Sequence, residues 1–311
     1  MEAVDPAPVE PSLPVAGERP RHTLPGWKRI GRRALLSIAK RSLSPGVRRV
    51  AARVRPVDVA VSRLRRRVER VEVDVCGAPF GLDVLRRSVS RSVYLGGRWH
   101  ASVVAMLRAH VRPGMTAVDV GANVGFMAVH MADRAGPDGR VLAFEPEPRN
   151  FALLSRNARR ARWRNLVPIA AAIGDGEGTT RLWLSPRDGG DHRIVPGAGE
   201  RASIEVPLTT LDRVASERRH PIHFVKMDIQ GAEAAAIRGM ERTLRDPALR
   251  GLVLEFWPQA LRTAGEDAAD VLRRIRAGGL RCASHPLADA SPEAFLASLG
   301  SRGSQDLLFL R

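Results

Sequence analysis

Three short segments carry side chains whose types and spacing suit chemistry. The first, Asp119-Val-Gly121-Ala-Asn123-Val-Gly125, is a glycine-rich turn that opens a helical pattern. Glycines let a backbone approach a ligand closely, and a helix N-terminus favours negative charge. The second, Phe144-Glu145-Pro146, ends a short apolar run. A carboxylate at such an edge can accept hydrogen bonds from both hydroxyls of a ribose, so together the two segments describe a site for an adenosine-bearing cofactor. A dinucleotide site wants G-x-G-x-x-G, with the pyrophosphate on the helix N-terminus. Here the run is G-x-N-x-G with Asn123 at its centre, which suits a cofactor carrying an amino-acid tail instead. The third segment is Lys226-Met-Asp228-Ile-Gln230-Gly231-Ala-Glu233. Lys226 and Asp228 are two apart and point to one side of an extended strand. Lys226 is the only lysine after position 40 in an arginine-using chain, which points to a need for a compact ammonium.

Other candidates are single residues. Glu255, in Leu254-Glu-Phe-Trp-Pro258, either lines an acceptor pocket or caps its own loop. His192 follows Asp191 in a glycine-rich loop, where a carboxylate can raise its basicity and fit it to act as a base. His100, His110 and His130 fall in helical segments and His223 in a strand, so they read as structural. Asp228 also has a plain reading as a helix cap paired with Lys226, and Glu233 sits in a first turn, where acids are favoured anyway. No His/Cys/Asp cluster has metal-ligand spacing, so no required metal is expected.

These residues need a scaffold that brings strand ends together. MTAVDV (115–120), RVLAF (140–144), LVPIAAAI (166–173), IHFVKM (222–227) and GLVLEF (251–256) read as buried strands. Helical patterns near 124–135, 147–161, 231–245 and 266–278 separate them, which predicts a doubly wound α/β body with a parallel sheet. In such a sheet ligands bind beyond the carboxyl ends of the strands, where the topology switches. Upstream, Val71, Val73 and Val75 alternate with polar residues before Gly77-Ala-Pro-Phe-Gly81, a β-hairpin signal. Residues 99–111 are helical in pattern. Residues 1–26 are Pro-rich and expected to be disordered, while residues 27–94 hold a basic helical arm followed by the hairpin.

The chain has 311 residues, 44% apolar and 27% charged, which is globular and excludes collagen-like and disulfide-scaffold classes. Its net charge of +17 is uneven: residues 1–70 hold seventeen basic and six acidic residues, a balance of +11. The excess therefore belongs mostly to the arm, which can pack on the body, lie on an anionic membrane or pair with a helix. The arm lacks interleaved aromatics or a reading motif, which argues against nucleic acid as its partner. Cys76 and Cys282 form no motif, no apolar run approaches a membrane span, and the start is no secretory signal, so a cytoplasmic protein is expected.

AVDVGANVGF (117–126), AFEPEPRNFALLSRN (143–157), PLTTLDRV (207–214), FVKMDIQGAE (224–233) and LEFWP (254–258) resemble the FkbM family of S-adenosyl-L-methionine-dependent methyltransferases. The resemblance covers residues 95–311, the methyltransferase domain, and leaves residues 1–70 outside. It departs at Gln230-Gly231, where the family usually has Glu-Gly. Asp188-Gly-Gly-Asp191-His192-Arg193 resembles a loop of part of the family. The resemblance implies a Rossmann-like class I methyltransferase sheet of seven strands, the last antiparallel near residues 306–310. It implies that Asp119, Gly121, Ala122, Asn123 and Gly125 face the methionine part of the cofactor, that Glu145 meets the ribose, and that residues 171–175, Ala172 among them, border the adenine. It also implies O-methylation of a hydroxyl on a sugar, glycan or secondary metabolite; from their own positions Asp228, Lys226, His192 and Glu255 are the candidates around the reacting atoms, Asp228 facing the cofactor as well. Two other functions stay open: a nucleic-acid methyltransferase, favoured only by the basic arm, and a non-catalytic binding protein on the same fold.

Overall fold

The computed structural model describes residues 71–83, 89–96, 99–159, 163–185, 189–194, 202–218, 221–285, 290–299 and 303–311. The Pro-rich tail and the basic arm lie outside the described residues, as does Asp188. Seven strands form the central sheet: β3 (Thr116–Val120), β4 (Arg140–Phe144), β5 (Leu166–Ile169), β9 (Phe224–Met227), β10 (Gly251–Phe256), β11 (Arg281–Cys282) and β12 (Gln305–Leu310), in the order β11-β12-β10-β9-β3-β4-β5. β12 runs antiparallel to both neighbours, and the other pairings are parallel. This is the doubly wound α/β architecture expected, with the antiparallel strand in the expected place. From β3 the chain adds β4 and β5 on one side, then returns to add β9 and β10 on the other, so the topological switch falls between β3 and β9.

The central strands are buried on both faces because helices cover both. Ala117, Phe224, Val253 and Leu308 face one core, together with helices α2 (Ala101–His110), α3 (Phe126–Ala135) and α4 (Pro148–Ala158). Val118, Val225, Leu252 and Leu307 face the other. That period-2 division carries a consequence for the site: Asp119, Lys226, Glu255 and Asp306 follow the first set by two residues or precede it by two, so all four belong to the face that α2 covers.

Three expectations need correction. The run 166–173 is two strands: β5 ends at Ile169, a tight turn follows (Ala171 N–H to Ile169 O, 3.0 Å), and β6 (Ala172–Ile173) joins a separate sheet with β7 (Gly178–Trp183) and β8 (Ser203–Thr209), in the order β6-β8-β7. The run 231–245 is two helices, α6 (Glu233–Arg238) and α7 (Glu241–Arg245), separated by Gly239, where an added Cβ would sit 1.8 Å from Gly174 O. Asp212, on α5 (Leu211–Arg218), then receives the N–H groups of Arg242 and Thr243, at 2.9 and 2.7 Å, and so starts α7. Finally, the hairpin turns at Cys76-Gly77, both at positive φ (51° and 74°), a two-residue turn that leaves Ala78–Leu82 as β2 against β1 (Val71–Val75).

The hairpin packs into the body. Phe80 is fully buried, edge-on to Phe126 and Trp163 at 6.1 and 6.4 Å between ring centroids. Buried Asn157 fastens it: Oδ1 accepts from Gly81 N–H (2.8 Å), while Nδ2 donates to Gly81 O (3.2 Å) and Val124 O (2.9 Å). The same side chain therefore ties the hairpin to the loop that opens α3. Among the described residues no helix is long and apolar enough to cross a membrane. Asn157→Ala is expected to destabilise the fold by about 3 kcal/mol, because buried backbone groups lose their partners. Urea denaturation checks it, and a change below about 1 kcal/mol would show that the hairpin is not held this way.

Candidate active site

The carboxyl edge at the switch point is shaped by close backbone contact. Gly121 has φ of +77°, and an added Cβ there would lie 2.0 Å from Asp228 O, so only glycine lets the loops after β3 and β9 cross. Asp228 N–H donates to Val120 O at 3.1 Å, while the N–H groups of Gly121 and Ala122 donate to Phe144 O at 3.1 and 2.9 Å. Asn123 then adopts a left-handed backbone (φ 52°), and its N–H reaches Glu145 Oε2 at 2.8 Å. Glu147 N–H reaches Glu145 Oε1 at 2.9 Å. Each oxygen of this buried carboxylate is thus anchored by one backbone N–H. Burial pushes the Glu145 carboxyl up to about 7, against the two backbone N–H groups that favour its charged form.

A cavity of ≈ 270 Å³ opens on this edge. Of the residues expected to hold a cofactor, Gly121, Ala122, Asn123, Glu145, Ala172 and Asp228 line it. Asp119 and Gly125 do not. Asp119 is fully buried beneath the edge, paired with Lys226 at 3.1 Å, and Gly125 caps α3 with φ of 91°. Among the residues expected to do chemistry, Lys226, Asp228, His192 and Glu255 all line the cavity.

The far end of the cavity is a charged row across four strands. Lys226 Nζ lies 3.1 Å from Asp119, 3.9 Å from Asp228 Oδ2 and 3.2 Å from Gly121 O. Gln230, another left-handed residue (φ 57°), donates from Nε2 to Asp228 Oδ1 (2.8 Å) and Glu255 Oε2 (2.6 Å). Glu255 Oε1 accepts from Ser304 Oγ at 2.8 Å, and Glu255 stands in register with Asp306. Burial, and then the neighbouring Asp228 charge, push Glu255 up to about 9. Burial also raises Asp228, but the Lys226 ammonium and hydrogen bonds from Glu255 and Gln230 outweigh it and hold Asp228 below its ordinary value. Lys226 is pulled down by burial, yet the Asp119 and Asp228 carboxylates keep it charged. Glu233 is a backbone holder: it accepts from Gly231 and Ile229 N–H at 2.9 and 3.2 Å, and burial raises it to about 7.

His192 is held by the backbone. Its Nδ1 accepts the Ser185 N–H at 3.0 Å, while Asp191 pairs with Arg193 Nε at 2.7 Å. The loop bearing it closes one side of the cavity: Asn123 and Asn150 both donate to Gly189 O at 2.9 Å, and Arg193 lies over the Trp257 ring at 5.1 Å. His100, read from sequence as structural, lines the cavity. It precedes α2 in a left-handed conformation (φ 42°), stacks on Trp99 and pairs through Nδ1 with Asp306 Oδ2 at 3.3 Å. Its position just before a helical run was the available signal, but its partner lies at the other end of the chain.

Comparison with known proteins fits this geometry. Residues 119–282 match the methyltransferase FkbM domain. The chain is 28% identical over 178 residues to methyltransferase sdnD of Sordaria araneosa, covering 47% of this chain and 68% of that protein. It is 24% identical over 180 residues to hexuronic acid methyltransferase AglP of Haloferax volcanii, covering 57% of this chain and 68% of that one. Among solved structures, Aeropyrum pernix fibrillarin with natively bound S-adenosyl-L-methionine aligns at a TM-score of 0.39 and 17% identity, covering 68% of this chain and 74% of that one.

The raised Glu255 carboxyl sets a pH dependence. Folded protein keeps this proton up to about 9, whereas an unfolded glutamate releases it near its ordinary value of 4.5, so the folded state binds more protons between the two. Stability therefore falls as pH rises through that window, and Glu255 still contributes above about pH 7, where Glu145 and Glu233 have titrated. The melting temperature is expected to drop from about pH 7 to 9, and Glu255→Gln to flatten that slope. Equal slopes in both proteins, read by scanning calorimetry, would place the proton elsewhere.

Proposed function

The chain belongs to the FkbM methyltransferase family, and from that premise we propose that it moves a methyl group from S-adenosyl-L-methionine to a hydroxyl of a sugar, glycan or other secondary metabolite. The observation that carries the reading is one cavity with a ribose-suited carboxylate, Glu145, at one end and the Asp228–Gln230–Glu255 row at the other. Glu145 accepts the two ribose hydroxyls, Gly121, Ala122 and Asn123 border the methionine part, and Phe144 with Ala171, Ala172 and Ile173 forms an apolar wall for the adenine. Bound there, the cofactor supplies an electrophilic methyl on a sulfonium, so the protein mainly aligns an oxygen with it.

The acceptor end suits a polyhydroxyl ring. Asp228, Glu255 and Asp306 offer carboxyl oxygens to hydroxyls, Gln230 bridges two of them, and Trp99 offers an apolar ring beside them. The relative named for hexuronic acid methylation supports a sugar as acceptor. A nucleic-acid acceptor draws on the basic arm alone, and the arm lies outside the described residues. Three buried ionisable groups in and under this cavity, Asp119, Lys226 and Glu255, are costly for a non-catalytic binder to keep.

Titration calorimetry with S-adenosyl-L-methionine tests the assignment. Glu145→Ala is expected to weaken binding by about 1–3 kcal/mol, because two hydroxyls lose a charged acceptor. Wild-type affinity is expected to fall as pH drops below about 7, where this carboxyl takes up a proton. An unchanged dissociation constant in Glu145→Ala would remove Glu145 from the ribose, and no binding by the wild type would end the methyltransferase reading.

A further inference from the structure

Two histidines line the cavity, and their hydrogen bonds fix opposite tautomers. His192 Nδ1 accepts the Ser185 N–H, so its neutral ring carries the proton on Nε2 and has no lone pair left to take another. His100 Nδ1 faces Asp306 Oδ2 at 3.3 Å, and an ionised carboxylate only accepts, so Nδ1 carries the proton and Nε2 keeps its lone pair. We propose that His100, oriented by Asp306, is the group that takes the proton from the acceptor hydroxyl, and that His192, whose Nδ1 lone pair is already used, is not. This rests on the methyl-transfer reading above.

Three observations support the assignment besides the tautomer. His100 is held in a left-handed backbone conformation, as are Asn123 and Gln230 in the same cavity, and such conformations gather where a site dictates side-chain direction. The ring is stacked on Trp99, with 4.5 Å between centroids, and α2 starts on its carbonyl through Val104 N–H at 3.0 Å. The other titratable groups nearby are poorly suited: Lys226 is charged, Glu255 holds its proton to about 9, and Asp228 is kept below its ordinary value and so is a weak base. The groups facing His100 are Asp306 on β12, Asp228 beyond β9 and Lys226 on β9; the Asp306 hydrogen bond raises its basicity against burial, with Asp228 assisting and Lys226 opposing. In the step, the hydroxyl proton passes to His100 Nε2 as an oxygen electron pair forms the bond to the methyl carbon. The carbon–sulfur pair stays on sulfur, which becomes a neutral thioether, and the imidazolium rests against Asp306.

Long-range proton–nitrogen NMR of protein labelled with ¹⁵N-histidine tests the dyad without any acceptor. His100 is expected as the Nδ1–H tautomer and His192 as Nε2–H, with Asp306→Asn lowering the His100 pKa by about one unit. Methyl transfer from labelled S-adenosyl-L-methionine to methyl glycosides then tests the role. Rate is expected to rise with pH through the pKa that NMR gives for His100, and His100→Asn to lower kcat by about 10²–10⁴-fold with cofactor affinity unchanged. Asparagine suits the left-handed backbone there, so this variant keeps the fold. His100 found as Nε2–H, or a His100→Asn kcat within about threefold of wild type, overturns the assignment. Wild-type protein that methylates no glycoside overturns the acceptor class instead, and the tautomer and Asp306→Asn titration then decide the dyad alone.

Discussion

Lys226 Nζ stands 3.1 Å from Asp119 and 3.9 Å from Asp228, and without that ammonium two carboxylates would share the switch point of the sheet with nothing to balance them. The pair with Asp119 is buried, so losing either partner would strand a charge in a low-dielectric interior. The same ammonium donates to Gly121 O at 3.2 Å, the residue whose missing Cβ lets the two loops cross. Charge balance and backbone shape are therefore settled together at one atom. A guanidinium is a planar fork rather than a point charge, which fits the use of lysine here in a chain of arginines.

From that point the rest of the charged row follows by strand register. Asp119 pairs across the sheet with Lys226, Lys226 with Val253, and Glu255 with Asp306, so the row lies on the face beneath α2. Shared burial separates the carboxyls: Asp228 takes the charge stabilised by Lys226, and Glu255 keeps a proton and can donate it in a hydrogen bond. The row thus offers both donors and acceptors within a few ångströms.

The second sheet supplies the remaining wall. Because the chain leaves the main sheet after Ile169, β6 carries Ala172 and Ile173 into the cavity lining, where the β7–β8 connection adds Gly189–His192 and Ile194. That loop is fastened at both ends of its span, by Asn123 and Asn150 on Gly189 O and by Arg193 over Trp257. These are polar and cation–π contacts, made by a buried asparagine at one end and a half-buried guanidinium at the other.

Much of this architecture was legible in the residues. Apolar runs such as RVLAF and GLVLEF are strands because helices bury both of their faces, and their boundaries match to the residue. The glycine-rich turn, Glu145 and the Lys226–Asp228 pair were readable for a similar reason: each depends on neighbours close in sequence. What sequence could not supply were contacts between distant segments. The break after Ile169 and the stop at Gly239 answer to a second sheet and to the Gly174 backbone. Asp119 has the composition of a cavity residue, yet β3 turns it beneath the edge toward Lys226. His100 and His192 are alike in sequence, a histidine beside a helix or loop. Their chemistry diverges because one ring nitrogen meets a carboxylate from β12 and the other a backbone N–H from the end of β7, partners only the folded chain can choose.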